Sequence, residues 1–458
     1  MIKSIRKQLK ISFDRIRNER LKTNLLQAIP FWLGSLITGA AVVMYTKLFI
    51  YAEDASAYVY QHKAWLFFLL TPVCFIAGWW VVLKVAPYAK GSGIPQVMAS
   101  IELSTPKNNE KINKLLSLKI ILVKLVSSLV LAVGGGVIGK EGPAIHIAGS
   151  VFREINNRLP KWWPKISKRN MIMTGAAAGL AAAFNTPLGG IVFAVEELTK
   201  THISYFKTAL FTAVIISGLA AQALLGPYLY LGYPDLRHIS SWIFFAVIAV
   251  AIISGLTAAA MSKIILRIFA WKRTFQSRYQ HVLFLTGSAL ILVILGLFVN
   301  QSAFGSGKNI MTSTLFTNAK YLPWYTPFLR ITGPILCFTT GAAGGIFAPA
   351  LGAGASVGSV MAGWFHLSAA DSNLLILCGM VGFLTGVTRT PFTSAILVLE
   401  MTDRHNVIFH LMFAGMVASI VAILIDKYSL YDHLKHQYLQ DISRTEEAAE
   451  SPEPELKE

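Results

Sequence analysis

Long apolar runs without a charged side chain recur along the chain. A helix needs about 20 apolar residues to cross the hydrocarbon of a bilayer. Runs of that length or slightly more cover residues 23–46, 64–83, 171–195, 208–234, 238–262, 279–307 and 405–425. A further run, 331–370, is too long for one ordinary span and contains several glycines and Pro349. This pattern predicts an all-α protein that crosses a membrane many times.

Shorter apolar pieces, such as 125–139 and 391–399, also occur, and several pieces are interrupted by Gly or Pro. They predict helices that stop inside the membrane. Non-helical backbone survives at that depth only where it is buried in protein or lines a cavity. Because transporters build their ion and substrate sites at such breaks, the pattern favours a transport protein.

Composition agrees with a membrane protein. Hydrophobic residues make up 54% of the chain and charged residues only 14%, against about 25% charged residues in soluble domains. Soluble enzyme folds are therefore excluded, and an intramembrane enzyme would need a clustered nucleophile and base, which the sequence lacks. The net charge of +18 indicates basic cytoplasmic loops rather than nucleic-acid binding.

The charged segments predict the ends and the orientation of the chain. Residues 1–22 are basic with apolar positions at helical spacing, which predicts an amphipathic surface helix. This segment and the basic segments 153–169 and 263–278 are predicted to be cytoplasmic. The acidic tail, 433–458, is predicted to be disordered.

Similar segments in the two halves indicate an internal repeat. Three matches stand in the same order, about 205 residues apart. They pair 91–93 with 305–307, 143–151 with 349–357, and 186–197 with 390–401. The chain is therefore predicted to contain a first repeat, 23–232, and a second, 233–432. The matches do not say whether the halves are parallel or inverted.

Three segments place Gly before a helical run and Pro near its first turn. The residues are Gly91, Gly93 and Pro95; Gly139, Gly142 and Pro143; and Gly344, Gly345 and Pro349. A helix start carries unpaired N–H groups and a partial positive charge, so several starts aimed at one point make an anion site. Such a site binds without a full charge, which lets the anion leave. Each segment alone could be a structural kink, but together they favour an anion pathway.

Glu141 is the strongest candidate for chemistry in the apolar body. A carboxylate inside the membrane is costly and is taken as functional by default. Ionised, it could occupy an anion site itself; protonated, it could withdraw and carry a proton. The alternative is an ion pair with the adjacent Lys140.

Further acids end two repeat-related apolar runs. Either Glu196 or Glu197 could be a helix end that meets solvent, and the pattern does not choose between them. Glu400, the repeat mate of Glu196, is expected to be structural, paired with Arg389 or Arg404.

Cofactors are not expected. The glycine-rich segment that ends at Lys140 resembles a phosphate-binding loop, but Glu141 stands where Ser or Thr is needed. Neither nucleotide nor nucleic-acid binding is therefore expected, and no metal-ligand spacing occurs.

These segments resemble the CLC family of chloride channels and proton-coupled chloride antiporters. The runs GSGIP, GKEGP, GLAAAFNTPLGGIVFAVEE and GGIFAP stand in family order, and the resemblance covers about 25–432. It implies two inverted structural repeats with many tilted, broken and re-entrant helices, and a homodimer with one pathway per subunit. It also implies a multi-pass protein of the inner (plasma) membrane with cytoplasmic termini. The expected type is prokaryotic, without paired regulatory nucleotide-sensing (CBS) domains.

The resemblance also assigns residues by matching position. Ser92 would supply a hydroxyl to a central chloride, and Ile346 and Phe347 would supply backbone N–H groups. Tyr431, in a shorter motif, would supply the second hydroxyl.

The same matching assigns proton transfer. Glu141 would be the external gating glutamate and Glu197 the internal proton-transfer glutamate. This favours a chloride/proton exchanger; the alternative is a passive voltage- or pH-gated chloride channel of the same fold. Ser92 rather than Pro implies chloride over nitrate, and the GKEGP setting argues against fluoride export. Lys140 and Gln96 depart from the more common Arg and Glu.

Overall fold

The computed structural model describes residues 10–11, 13–14, 17–105, 108–199, 207–226, 229–318 and 320–450. This part of the chain is built from α-helices. The first half contains α1 (Glu19–Lys63), α2 (Phe67–Val85), α3 (Ile94–Glu102), α4 (Asn109–Leu115), α5 (Leu118–Val133), α6 (Glu141–Arg158), α7 (Lys168–Phe184), α8 (Pro187–Phe193) and α9 (Lys207–Leu225).

In the described residues, the second half repeats this series without a counterpart of α4 and adds one terminal helix. It contains α10 (Ile243–Lys272), α11 (Arg278–Ile294), α12 (Lys308–Phe316), α13 (Thr326–Phe338), α14 (Phe347–Trp364), α15 (Ala369–Thr388), α16 (Pro391–Thr402), α17 (Ile408–Ile425) and α18 (Leu430–Glu450). Within the described residues, seven helical stretches are long and apolar enough to cross a membrane. The predicted all-helical membrane fold is confirmed.

One predicted span is broken in the structure, and the run 331–370, predicted to be too long for one span, is divided. In 171–195, α7 ends at Phe184 and α8 begins at Pro187, because Asn185 between them is left-handed with φ 57°. In 331–370, a glycine-rich turn separates α13 from α14. Conversely, 110–133 and 369–388 form apolar helices that the charge-free runs did not reveal, because lysines or Asp371 interrupt them.

The two halves have the same local geometry. Glycines with positive φ recur in pairs: Gly91 with Gly305, Gly93 with Gly307, and Gly135 with Gly341. Asn185 and Arg389, which end the paired helices α7 and α15, are both left-handed. The predicted repeat is therefore a repeat of fold as well as of sequence. The exact boundary between 232 and 233 stays a prediction.

Two carboxylates exchange contacts between the halves. The Glu196 carboxylate accepts N–H groups of Phe392 (3.2 Å) and Thr393 (2.6 Å) at the start of α16. The Glu400 carboxylate accepts those of Leu188 (2.9 Å) and Gly189 (2.6 Å) at the start of α8. Such a reciprocal exchange is typical of two-fold symmetry, as expected for inverted repeats.

The C-terminal tail differs from the predicted disorder. Residues 430–450 form α18, in which Leu434, Tyr438 and Ile442 lie four residues apart and are buried in the main hydrophobic core. This spacing places the three side chains on one helix face, and their burial outweighs the acidic composition. Residues 451–458 lie outside the described residues. So does most of the predicted N-terminal helix, of which residues 19–22 belong to α1.

Candidate anion and proton pathway

Backbone hydrogen bonds join the three glycine segments. Gly91 donates to Ala342 (2.8 Å) and accepts from Gly344 (3.0 Å), while Gly139 and Gly345 exchange hydrogen bonds of 2.8 and 2.7 Å. A Cβ atom at Gly345 would lie 2.8 Å from the Gly139 carbonyl oxygen, so the close approach requires glycine. These contacts fix the starts of α3, α6 and α14 beside one another.

Two predicted chloride ligands are hydroxyl groups buried at this junction. The Ser92 and Tyr431 side chains are 2% and 0% exposed. Their hydroxyl groups interact with each other, yet neither has a partner at hydrogen-bonding geometry. Buried polar atoms are rarely left without a hydrogen-bond partner. The two hydroxyl groups are therefore available to donate hydrogen bonds to a bound anion.

The predicted backbone ligands lie beside these hydroxyls. Ile346 is the N-cap of α14 and Phe347 its first residue, so their N–H groups have no acceptor within the helix. The Phe347 and Tyr431 ring centroids are 6.1 Å apart. The structure thus brings Ser92, Ile346, Phe347 and Tyr431 together.

Glu141 begins α6 and is 1% exposed. Its carboxylate interacts with its own N–H group and with that of Ala348 in the first turn of α14. Oε1 accepts a long hydrogen bond of 3.5 Å from the Tyr230 hydroxyl, and Oε2 is buried without a hydrogen-bond partner. The carboxylate therefore lies against the helix start that also contains the predicted chloride ligands.

Lys140 does not form the alternative ion pair. Among the described residues, no salt bridge joins its ammonium to Glu141 within 4.0 Å. Its Nζ instead lies 5.8 Å from the Tyr230 ring centroid. Tyr230 was missed at the sequence level, because nothing in the loop before α10 indicates that it reaches Glu141.

The structure distinguishes the two adjacent glutamates. Glu196 caps α16, as described above, whereas Glu197 is 8% exposed and lies in a π-helical turn, Ala194–Leu198. Such turns are frequent at functional sites. Glu197 also interacts electrostatically with the Tyr431 hydroxyl. Glu197 is therefore the buried one of the pair, and its carboxylate lies within electrostatic range of the Tyr431 hydroxyl.

The expected pairing of Glu400 with an arginine is wrong. Glu400 caps α8, while Arg389 donates to the carbonyl oxygens of Ala422 and Asp426. Arg404 donates to the Tyr233 carbonyl oxygen. Glu400 is structural, as expected, but its partners are backbone N–H groups of the other repeat.

Two fully buried cations were also missed. Lys124 in α5 donates to the Gly91 carbonyl oxygen (2.9 Å), and its repeat mate Arg330 in α13 donates to that of Gly305 (3.1 Å). The signal for Lys124 was available, because it is a lone charge within an apolar segment. Its amino group donates to the carbonyl oxygen of the residue that precedes Ser92, and so holds this turn in place without contacting the two hydroxyls.

The model of the voltage gated chloride channel family matches residues 73–423, more than half of the chain. The chain belongs to this family.

Full-length relatives agree with this assignment. The H+/Cl− exchange transporter ClcA of Salmonella typhimurium is 28% identical over 466 residues, which cover 96% of this chain and 95% of ClcA. The ClcA of Citrobacter koseri is 29% identical over 445 residues, with 91% of each chain covered.

Solved structures of the family share the fold. A slow cyanobacterial Cl−/H+ antiporter superposes with a TM-score of 0.77 at 23% identity, covering 91% of this chain and 98% of the antiporter. A CLC-type fluoride/proton antiporter gives 0.74 at 22% identity, with the same coverage. At these identities the likeness shows the fold alone.

Two cavities lie at the repeat-related glycine segments, one at 90–92 and the other at 305–309. One, of about 540 Å³, reaches Ser92 and has the basic side chains Lys90, Lys272, Arg273 and Arg444 in its wall, with Asp441. The other, of about 560 Å³, lies beside 305–309 and contains Glu53 and Asp54. The first cavity is electropositive, which concentrates anions near Ser92.

Gln96, where the resemblance led us to expect Glu, connects α3 to the terminal helix. Its amide nitrogen donates to the carbonyl oxygens of Tyr88 (3.0 Å) and Lys90 (2.7 Å) and to the Tyr438 hydroxyl (3.0 Å). An amide can donate here where an ionised carboxylate could only accept. The substitution therefore fits the backbone oxygens that surround it.

Proposed function

We propose that this chain is a secondary active transporter that exchanges chloride for protons. The observation that carries the proposal is the position of the Glu141 carboxylate. The carboxylate lies against the first turn of α14, beside the Ala348 N–H group. The same helix begins with Ile346 and Phe347, which lie near the Ser92 and Tyr431 hydroxyls. One helix start thus serves both a protonatable carboxylate and an anion, and the two compete for it.

Chloride would bind between the hydroxyls of Ser92 and Tyr431 and the N–H groups of Ile346 and Phe347. The two hydroxyl oxygens are buried without a hydrogen-bond partner, an arrangement that an anion acceptor relieves. The ligands are neutral dipoles, so binding is favourable but weak enough for release.

Protons would pass between Glu197 and Glu141. When chloride displaces the ionised Glu141 carboxylate from the α14 start, the carboxylate moves toward the outer cavity and takes up a proton. The protonated side chain returns without competing for the anion, and the proton continues to Glu197. Chloride and protons therefore move in opposite directions.

The relatives support this reading, because both ClcA proteins named above are H+/Cl− exchange transporters. We further propose an inner-membrane homodimer with one pathway per subunit and cytoplasmic termini. The cavity that contains Ser92 would then open to the cytoplasm, and that beside Glu53 would open to the outside.

The deciding test is uphill transport by the purified protein in liposomes. With equal chloride on both sides, a proton gradient should drive net chloride movement, because an exchanger couples the two fluxes. A passive channel gives no net chloride movement under those conditions once the membrane potential is clamped at zero. That result would assign the alternative, a chloride channel of the same fold.

A further inference from the structure

The repeat pairs the turn that contains Ser92 with a turn that contains Ser306. In both turns the flanking glycines have positive φ: 64° and 102° around Ser92, and 72° and 97° around Ser306. A fully buried cation from the paired helices, Lys124 or Arg330, donates to the first glycine of each turn. The two turns therefore have the same backbone geometry, and each accepts a hydrogen bond from a buried basic side chain.

The two turns differ in what faces them. The Ser92 turn presents a hydroxyl without a hydrogen-bond partner, where the proposed chloride binds. At the other turn, the Ser306 N–H group donates to the Glu53 carboxylate at 2.9 Å. Glu53 belongs to α1, 253 residues away in sequence, and is partly exposed in the wall of the outer cavity.

Positive charge surrounds the Ser306 turn. The Glu53 carboxylate interacts electrostatically with Lys140, Lys308 and Arg330. Lys308 and Lys140 lie 4.8 and 5.8 Å from the Tyr230 ring centroid. The Nη2 atom of Arg330 is buried without a hydrogen-bond partner and lies in the space that a Cβ atom at Gly307 would fill. Three basic side chains thus lie within electrostatic range of the one carboxylate that accepts from the Ser306 N–H group.

We propose that Glu53 is a built-in anion of the outer mouth, which fills the repeat mate of the chloride-binding turn and keeps external chloride from binding there. This explains why two repeats with the same fold form only one chloride site. Each Gly-Ser-Gly turn attracts an anion, but at the second turn that anion is the Glu53 carboxylate of the protein itself. The inference rests on the proposed anion pathway, because it takes chloride as the ion that Glu53 excludes.

Glu53→Gln separates charge from shape. The amide oxygen can still accept the Ser306 N–H group, so the cap remains, while the negative charge that repels chloride is lost. Loss of one nearby unit charge changes ion binding by about tenfold or more. We expect E53Q to bind one additional chloride per subunit in calorimetric titration of the purified protein. Bromide should give anomalous density at the Ser306 turn of E53Q crystals.

Asp54→Asn is the matched control. Asp54 lines the same cavity but is exposed, and its replacement by Asn removes one negative charge from the cavity wall, as E53Q does. We expect D54N to keep the stoichiometry of the wild type. Adding Lys308→Gln to E53Q should weaken the new site by about threefold to tenfold.

If E53Q still transports chloride but binds no more chloride per subunit than the wild type, the inference is overturned and Glu53 is only a helix cap. A D54N variant that gains the same site would also overturn it. The wild type supplies a test that does not depend on folding of a variant: bromide should occupy the Ser92 site and not the Ser306 turn, and density at both would contradict the proposal. A wild type that binds and transports no chloride would instead refute the proposed function.

Discussion

At the scale of single residues, the site depends on groups that are buried without a conventional partner. The Ser92 and Tyr431 hydroxyls and the Glu141 Oε2 atom are all of this kind. Each is a buried polar atom without a partner at hydrogen-bonding geometry, which proteins tolerate where a ligand completes the contacts. Substitutions at these atoms should therefore change transport more than stability.

Replacing Ser92 by Pro should shift anion preference toward nitrate. Proline removes the hydroxyl that donates a hydrogen bond to chloride. The start of α14 remains and can bind nitrate, which is larger and more weakly hydrated. The measurement is the nitrate/chloride flux ratio in liposomes, which should rise by about tenfold if one hydrogen bond to the anion is lost. Ser92→Thr retains the hydroxyl and is the control. An unaltered ratio in the proline variant would remove Ser92 from the site.

Glu197→Gln should lower proton flux by about tenfold or more while chloride flux persists, because the amide cannot take up a proton. The adjacent Glu196→Gln is the matched control, since Glu196 caps α16 and is not placed on the proton route. Equal proton fluxes in the two variants would show that the π-helical turn has no part in coupling.

At the scale of helices, the reciprocal caps hold the two repeats together. Glu196 and Glu400 each accept two backbone N–H groups at the start of a helix in the other half. Charged groups form stronger hydrogen bonds than neutral ones, and the negative charge also suits the helix start.

Glu400→Ala should lower the free energy of unfolding by about 1–3 kcal/mol, because it leaves the Leu188 and Gly189 N–H groups unpaired. The measurement is thermal unfolding in detergent, with Glu400→Gln expected to lose less. The proton/chloride ratio of the surviving protein should equal that of the wild type. An unchanged midpoint for the alanine variant would show that the cap contributes nothing.

The sequence predicted the elements that depend on local pattern. Gly and Pro positions identified the starts of α3, α6 and α14, and matched segments revealed the repeat. Contacts between distant residues left no such signal: Glu53 with Ser306, Glu400 with α8, and Tyr230 with Glu141. A charge-free criterion also missed 369–388, because Asp371 lies in its first turn. There its carboxylate accepts a hydrogen bond from the Ser368 hydroxyl, and its N–H group donates to the same hydroxyl oxygen.

At the scale of the whole molecule, two cavities lie at repeat-related turns, one beside Ser92 and the other beside Ser306. The wall near Ser92 carries four basic side chains and Asp441, whereas the wall near Ser306 carries Glu53, Asp54 and Lys308, so the cavity beside Ser92 is the more electropositive of the two. The basic loop 159–167 between α6 and α7 is predicted to be cytoplasmic.

Cysteine labelling tests this orientation. The native cysteines Cys74, Cys337 and Cys378 are all buried, so background labelling should be low. Lys165→Cys, in the exposed loop after α6, should react with a membrane-impermeant maleimide only after cells are opened. Gln301→Cys, exposed at the outer cavity, should react in intact cells. The reverse pattern would invert the proposed topology.

The central claim is that chloride and proton movement meet at the Glu141 carboxylate. The most direct measurement follows chloride and proton fluxes together in liposomes that contain the wild type or Glu141→Ala. The account predicts coupled fluxes for the wild type, and for the variant a chloride flux that persists with no proton flux and no response to a pH gradient. Retained proton coupling in Glu141→Ala would contradict it.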